Sequence, residues 1–254
     1  MATVTAVHHS EGFNLKEWIF TTDHKRIGIL YLIGSIAAFV VAGMMGLLIR
    51  LEQMEPGAQI VTTGSQYNSW LYFHGAAMIL AFLIPGLTGF FANYFLPLMI
   101  GAKDVAFPRI NAFSVWLFWV AIVLALLGFV VPDSPDIMWT GYPPYSLKTT
   151  GNTAFYVFTI HLLGFPSILG AVNFMVTVIY LRAPGMGWNQ INIFVWTTVA
   201  AFVIQLIFIP VLAAAVTMLL FDKYLGTHFF DTSQGGTCCC TRTCSGSTPI
   251  PRYT

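Results

Sequence analysis

Five stretches of this chain are each long and apolar enough to cross a bilayer, and that excludes a soluble fold at the outset. They cover 27–49, 70–100, 113–131, 154–181 and 192–221. A helix needs about 20 apolar residues to span the hydrocarbon. Spanning strands would be about half as long and would alternate in polarity. These lengths therefore mean helices, whose backbone groups are satisfied within each segment. Charged residues make up 8% of the 254 and hydrophobic ones 57%, whereas soluble domains carry about 25% charged residues. The chain reads as an all-α integral membrane protein with five transmembrane helices. Around them lie an N-terminal segment, 1–26, a loop, 222–236, and a tail, 237–254. The net charge of +1 gives no reason to expect nucleic acid as a partner. The polar start, with His8, His9 and Glu11, does not look like a cleavable signal peptide.

Lys and Arg set the orientation. Lys16, Lys25, Arg26, Lys103, Arg109 and Arg182 fall on the N-terminal side of the membrane, against Arg50 and Lys148 in the first and third loops. The N-terminus is therefore placed in the cytoplasm, in a bacterial inner membrane rather than a mitochondrial one. His74 then sits near the outer end of the second span. Asp104 sits just beyond its inner end.

His74 is an ionisable side chain in a run, 70–100, that contains no charged residue. Such a group costs roughly 2.5 kcal/mol or more in hydrocarbon unless it has a partner. Neutral imidazole is also a common metal ligand. A bond to a neighbouring helix carbonyl and a metal-binding role both stay open on the residues alone. His161 is likewise single in its span and has no motif that ties it to a metal, so a hydrogen-bonding role is expected. Paired histidines on one helix, usual in four-helix b-type cytochromes, are absent here. Asp104 is either a proton-collecting carboxylate at the mouth of a bundle or a solvated acid paired with Lys103 or Arg109.

Gly34, Ala38, Ala42 and Gly46 recur every four residues in the first span, a seam for close helix packing. Pro85, Gly86 and Gly89 allow the second span to bend, as Pro166 and Pro210 do in the fourth and fifth. The loop 132–153 contains Trp139-Thr140-Gly141-Tyr142-Pro143-Pro144, and its prolines and aromatics predict a structured cap.

Longer motifs narrow the reading. They are Asp23-His24-Lys25-Arg26-Ile27-Gly28, Leu48-Ile49-Arg50-Leu51-Glu52, Tyr72-Phe73-His74-Gly75, the run from Asn93 through Leu96-Pro97, Lys103-Asp104 and Phe107-Pro108-Arg109 to Asn111, Ser167-Ile168-Leu169-Gly170-Ala171-Val172-Asn173-Phe174 and Pro210-Val211-Leu212-Ala213-Ala214. Over residues 16–236 they resemble subunit I of the haem–copper oxidases. The resemblance implies the N-terminal part of a twelve-helix bundle that reduces oxygen to water and pumps protons. It implies that His74 is one axial ligand of a low-spin haem, with haem a expected, and that Arg50 hydrogen-bonds that haem's formyl group. It implies that Asp104 is the entrance of a proton-uptake channel whose water Asn93 and Asn111 order. Glu52 and Gly57 match positions that hold calcium or sodium in some members. Subunits II and III are the implied partners. A second haem and copper are expected only in the full-length protein. Quinol-oxidising relatives can carry Arg and Asp within the first span. No charge lies between Ile27 and Ile49, which favours cytochrome c as the electron donor. Two positions depart from the family: Pro166 precedes Ser167, and Ala112 follows Asn111.

The tail, 237–254, holds every cysteine of the chain, Cys238, Cys239, Cys240 and Cys244. Adjacent cysteines suit a tetrahedral zinc site poorly. A one-base shift of frame after Gly236 is codon-compatible with a string ending His-Pro-Ala-Val-Tyr, which resembles the family's sixth span and its copper ligand. The expectation is a frameshifted, truncated subunit I that is inactive alone. The competing class is a five-span transporter or assembly protein with a structural His74.

Overall fold

The computed structural model describes residues 15–231. The tail 237–254, residues 232–236 of the preceding loop and most of the segment 1–26 lie outside them. After a short helix, Leu15–Ile19, five helices long and apolar enough to span a membrane follow: His24–Glu52, Gly64–Met99, Pro108–Val130, Thr153–Tyr180 and Ile193–Tyr224. No strand occurs among the described residues.

Most helix ends lie outside the apolar runs because capping, not hydropathy, sets them. The Asp23 carboxylate accepts from the Lys25 amide at 3.1 Å and starts the first span before Ile27. Thr63 accepts from the Gln66 amide at 3.3 Å, so the second span opens six residues before position 70, in a polar turn. The third opens on Pro108, whose missing N–H is not needed at that position. Asn152 and Asn192 cap the fourth and fifth spans in the same way.

The second span is not a uniform α-helix. Ala77–Leu83 and Pro85–Phe91 are wound as π-helix around Pro85. Thr88 Oγ donates to the Ile84 carbonyl at 2.8 Å within this stretch. Helical segments of this kind collect at functional positions. The span carries His74 above them and Asn93 below.

Glycines set the close approaches. A Cβ at Gly34 would stand 2.6 Å from the Phe118 ring of the third span, one at Gly46 2.9 Å from the His74 ring, and one at Gly89 2.6 Å from Tyr31. The four-residue seam of the first span thus serves two neighbours rather than one. Phe174 and Phe202 stack at 5.3 Å between the fourth and fifth spans.

The loop 132–153 is a structured cap. The buried Asp136 carboxylate accepts from Ser65 Oγ at 2.9 Å, from the Tyr145 hydroxyl at 3.0 Å and from Thr149 Oγ. Lys223 Nζ, at the end of the fifth span, donates to the Thr149 and Gly151 carbonyls at 3.0 and 2.7 Å and to Thr153 Oγ at 2.6 Å. The fifth helix runs to Tyr224, past position 221. The Asp222 carboxylate then folds the chain back by accepting from the Phe229 and Phe230 amides.

At Gly128 an added Cβ would lie 2.9 Å from Phe155 Cβ, an atom with little freedom to move. Gly128→Ala is expected to destabilise the third–fourth helix pair by about 1–3 kcal/mol through overpacking. A lowered melting temperature in lipid nanodiscs checks it.

Candidate functional site

The residues singled out in the sequence fall into two groups at opposite ends of the second span. His74 and Asn93 are 19 residues apart on it, roughly 28 Å at 1.5 Å per residue.

At one end, His74 Nδ1 lies 2.7 Å from the Ala42 carbonyl of the first span. A carbonyl only accepts, so Nδ1 carries the proton and Nε2 keeps its lone pair. A second nitrogen fixed in this way is how metal-bound histidines are oriented. Gly46 leaves the imidazole room that a methyl group would fill. The half-buried ring, its fixed tautomer and this glycine cradle fit a haem iron on Nε2. Arg50 lies one turn beyond Gly46 on the same helix and is exposed. Neither reading of His74 excludes the other, because the carbonyl bond is what frees Nε2.

Glu52 closes the following loop. Its carboxylate accepts from the Gln59, Ile60 and Val61 amides at 3.1, 2.6 and 3.0 Å. Gly57, with φ +105°, turns that loop in the left-handed region. A cation held by Glu52 and the Gly57 carbonyl would share carboxylate oxygens with three N–H groups. Among the described residues no three His, Cys, Asp or Glu side chains gather as a metal cage.

At the other end, Asn93 and Asn111 are each 1% exposed. Asn111 Nδ2 donates to Asn93 Oδ1 at 2.5 Å, and Asn93 Nδ2 donates to the Gly89 carbonyl at 2.6 Å. Asn111 Oδ1 has no donor. Both asparagines line a cavity of about 20 Å³ together with Tyr31, Thr88, Ser114 and Ser167. That is enough for a water, which needs about 10–15 Å³ and two to four polar partners. The Tyr31 hydroxyl donates to Ser114 Oγ at 3.0 Å, and Ser114 Oγ donates to the Asn111 carbonyl at 2.7 Å. His24 Nδ1 donates to the Asn93 carbonyl at 2.8 Å. Farther along the bundle a separate cavity of about 80 Å³ is almost wholly apolar, with Ala38, Ala77 and Ala125 in its walls. Leu163 lines both cavities.

Asp104 is half-buried in the turn between the second and third spans. It forms no ion pair with Lys103 or Arg109 among the described residues. Its Oδ1 accepts from the next amide, Val105, at 2.7 Å. Two residues of the fourth span fix the turn. Asn173 Oδ1 accepts from the Phe107 amide at 2.8 Å, and Thr177 Oγ accepts from the Ala106 amide at 2.9 Å.

Tyr31, Ser114, Asn173 and Thr177 were not singled out as site residues from the sequence. Their common signal is a polar side chain within an apolar span. His161 takes the hydrogen-bonding role expected of it, with Nδ1 2.8 Å from the Val157 carbonyl and Nε2 3.0 Å from Thr217 Oγ.

The fold and these two polar groups define a helical membrane protein with a metal-compatible histidine at one end of a span and a buried asparagine pair beside a small polar cavity at the other. Residues 26–242 match the family model for cytochrome c and quinol oxidase polypeptide I, and the chain belongs to that family. The match runs into the cysteine-rich tail. The chain is 43% identical over 224 residues to a protein named probable cytochrome c oxidase subunit 1-alpha from Streptomyces avermitilis, covering 87% of this chain and 38% of that protein. It is 40% identical over 235 residues to the probable cytochrome c oxidase subunit 1-beta of Nocardia farcinica, covering 91% and 40%. It is 41% identical over 220 residues to cytochrome c oxidase subunit 1 of Corynebacterium diphtheriae, covering 85% and 39%. The chain therefore spans about two fifths of the length of these curated relatives, and it is similar to their N-terminal part.

Asn173→Ala removes the acceptor of the Phe107 amide. It is expected to loosen the turn that carries Asp104 by about 1–3 kcal/mol, the cost of an unsatisfied buried group. Hydrogen exchange at the Ala106 and Phe107 amides should quicken while exchange at Val178 stays slow.

Proposed function

We propose that this chain forms the haem-ligating and proton-admitting N-terminal part of an oxygen-reducing, proton-pumping cytochrome c oxidase. The observation that carries the reading is His74, whose Nδ1 is held by the Ala42 carbonyl and whose Nε2 lone pair is left for iron. The haem, when bound, supplies one-electron transfer, and haem a is the form the family resemblance favours. His74 Nε2 would ligate it, and Arg50, at the outer end of the first span, would donate to the haem's formyl group. A second ligand, the oxygen-binding haem and copper would come from the part of the relatives' length that this chain does not span.

Protons enter at Asp104. Its carboxyl exchanges protons with water at the membrane surface, and Asn111 Oδ1 and the Asn93 amide order the water that carries them inward. Tyr31 and Ser114 extend the same hydrogen-bonded row. Family members held in a bacterial membrane, with the N-terminus in the cytoplasm, would draw these protons from the cytoplasmic side. The absence of charge between Ile27 and Ile49 supports cytochrome c as electron donor. Subunits II and III complete the assembly. Calcium or sodium would occupy Glu52 and the Gly57 carbonyl. The 237–254 tail reads as out of frame, and the nucleotide sequence around Gly235 and Gly236 decides it.

In a full-length protein carrying these residues, His74→Ala should remove the low-spin haem absorbance, and an unchanged spectrum would overturn the ligand assignment. Gly46→Val, which displaces the ring without removing it, should weaken haem retention by about 10-fold or more. Asp104→Asn should leave haem content normal and slow turnover by about 100-fold, the scale of a lost proton-transfer group; full pumping by that variant would make Asp104 a surface acid only. The 254-residue chain alone, in membranes of an oxidase-deficient host, is expected to consume no oxygen at an oxygen electrode.

A further inference from the structure

Arg182 ends the fourth span in an unusual state. Its Nε and Nη1 are buried and have no acceptor. Its guanidinium carbon lies 4.1 Å from the centroid of the Trp188 ring. Trp188 in turn packs against Trp196, with ring centroids 5.3 Å apart, and Trp196 Nε1 donates to the Trp188 carbonyl at 3.3 Å. The arginine thus has an aromatic floor and no counter-charge. It forms no ion pair with a carboxylate among the described residues. Arg182 is only partly buried, and Nη2, the one guanidinium nitrogen that is not enclosed, faces outward.

The surroundings say what would complete it. Trp188 and Trp196 are 39% and 44% exposed, and Tyr180 and Ile193 about three-quarters exposed at 76% and 75%. Tryptophan and tyrosine at the ends of spans sit at headgroup level, and the exposed isoleucine continues the surface toward acyl-chain depth. This end of the bundle carries Lys16, Lys25, Arg26, Lys103, Arg109 and Arg182 against Glu17, Asp23 and Asp104. Basic pockets between spanning helices on such a side recognise phosphate headgroups. A guanidinium N–H makes a charge-assisted hydrogen bond to a phosphate oxygen. We infer that Arg182, stacked on Trp188 beside Trp196, binds the phosphate headgroup of an anionic phospholipid. Free phosphate offers the same oxygens but leaves the exposed Tyr180 and Ile193 surface uncovered.

The site abuts the proposed proton entrance without being part of it. The Ala183 amide donates to the Ile100 carbonyl at 2.9 Å, which ties the loop after Arg182 to the turn before Asp104. Retained lipid is a readout distinct from haem content or turnover.

The 254-residue chain is reconstituted in nanodiscs of equimolar phosphatidylglycerol and phosphatidylcholine, extracted in mild detergent, and its retained lipid weighed by mass spectrometry. Wild type should retain phosphatidylglycerol over phosphatidylcholine by roughly fivefold, the effect of one well-placed cation. R182Q should fall to the bulk ratio, W188L should lose part of the preference with the charge intact, and R109Q should keep it. Should R182Q fail to insert, R182K decides, because lysine keeps the charge but not the flat group that stacks on Trp188, and its preference should drop. Preference retained in R182Q, an undiminished preference in R182K, or an equal loss in R109Q would overturn the site. Displacement of the lipid by inorganic phosphate at concentrations that leave the chain folded would overturn the lipid assignment in favour of a free-anion site.

Discussion

Polar groups inside hydrocarbon must find partners within the protein, and most features of this bundle follow from that constraint. The spans answer it with their own carbonyls. Thr88, Ser167, Thr177 and Thr217 each donate to the carbonyl four residues back, at 2.7–3.2 Å. His161 bonds its own helix through Nδ1 and Thr217 of the next through Nε2, so both nitrogens are used. His74 differs. It reaches across to another helix with one nitrogen and leaves the other without a partner. Two intramembrane histidines of the same chemistry are thereby separated by geometry into a structural one and a ligand-competent one.

The same constraint explains why the small-residue seam of the first span matters beyond packing. In lipid, helices gain little from burying apolar area and gain from close approach and interhelical hydrogen bonds. Ala42 and Gly46 bring the first span near enough for the Ala42 carbonyl to accept from His74, and Gly46 leaves no side chain in the path of the ring. Nearer the other end of the span, Gly28 brings the helix to Asn93, where a Cβ would stand 3.3 Å from the asparagine's own. One packing face therefore positions both polar groups, and the π-wound stretch of the second span lies between them.

Hydropathy was enough to count the spans and to place His74 and Asp104 at opposite ends, because both properties depend on residue type along the chain. The helix ends were not legible in that way. Six residues of the second span precede its apolar run because Thr63 caps a polar turn, and an apolar average discounts such residues. The π winding left only Pro85 as a trace, since a proline allows a bend without saying how the neighbouring turns take it up. The hydrogen-bonded row was legible in part. Asn93 and Asn111 came from motif resemblance, whereas Tyr31 and Ser114 join them only through the packing of the first span on the third. The role of Glu52 was also hidden: its three amide donors come from residues 59–61, and no periodicity announces a loop that folds back on its helix.

The carboxylates of the two ends differ in what they hold in place. At the end that holds His74, Glu52, Asp136 and Asp222 each accept several hydrogen bonds that hold a loop in place. Each of these carboxylates is a structural acceptor, and losing its bonds would open the loop it supports. Asp104 supports nothing comparable. Its turn is held by Asn173 and Thr177 from the fourth span and by the Ala102 amide, which donates to the Pro97 carbonyl at 2.9 Å. The carboxyl itself accepts only from Val105. Structural duty has been moved to neutral side chains that do not titrate. The turn around Asp104 therefore stays fixed without help from its carboxyl.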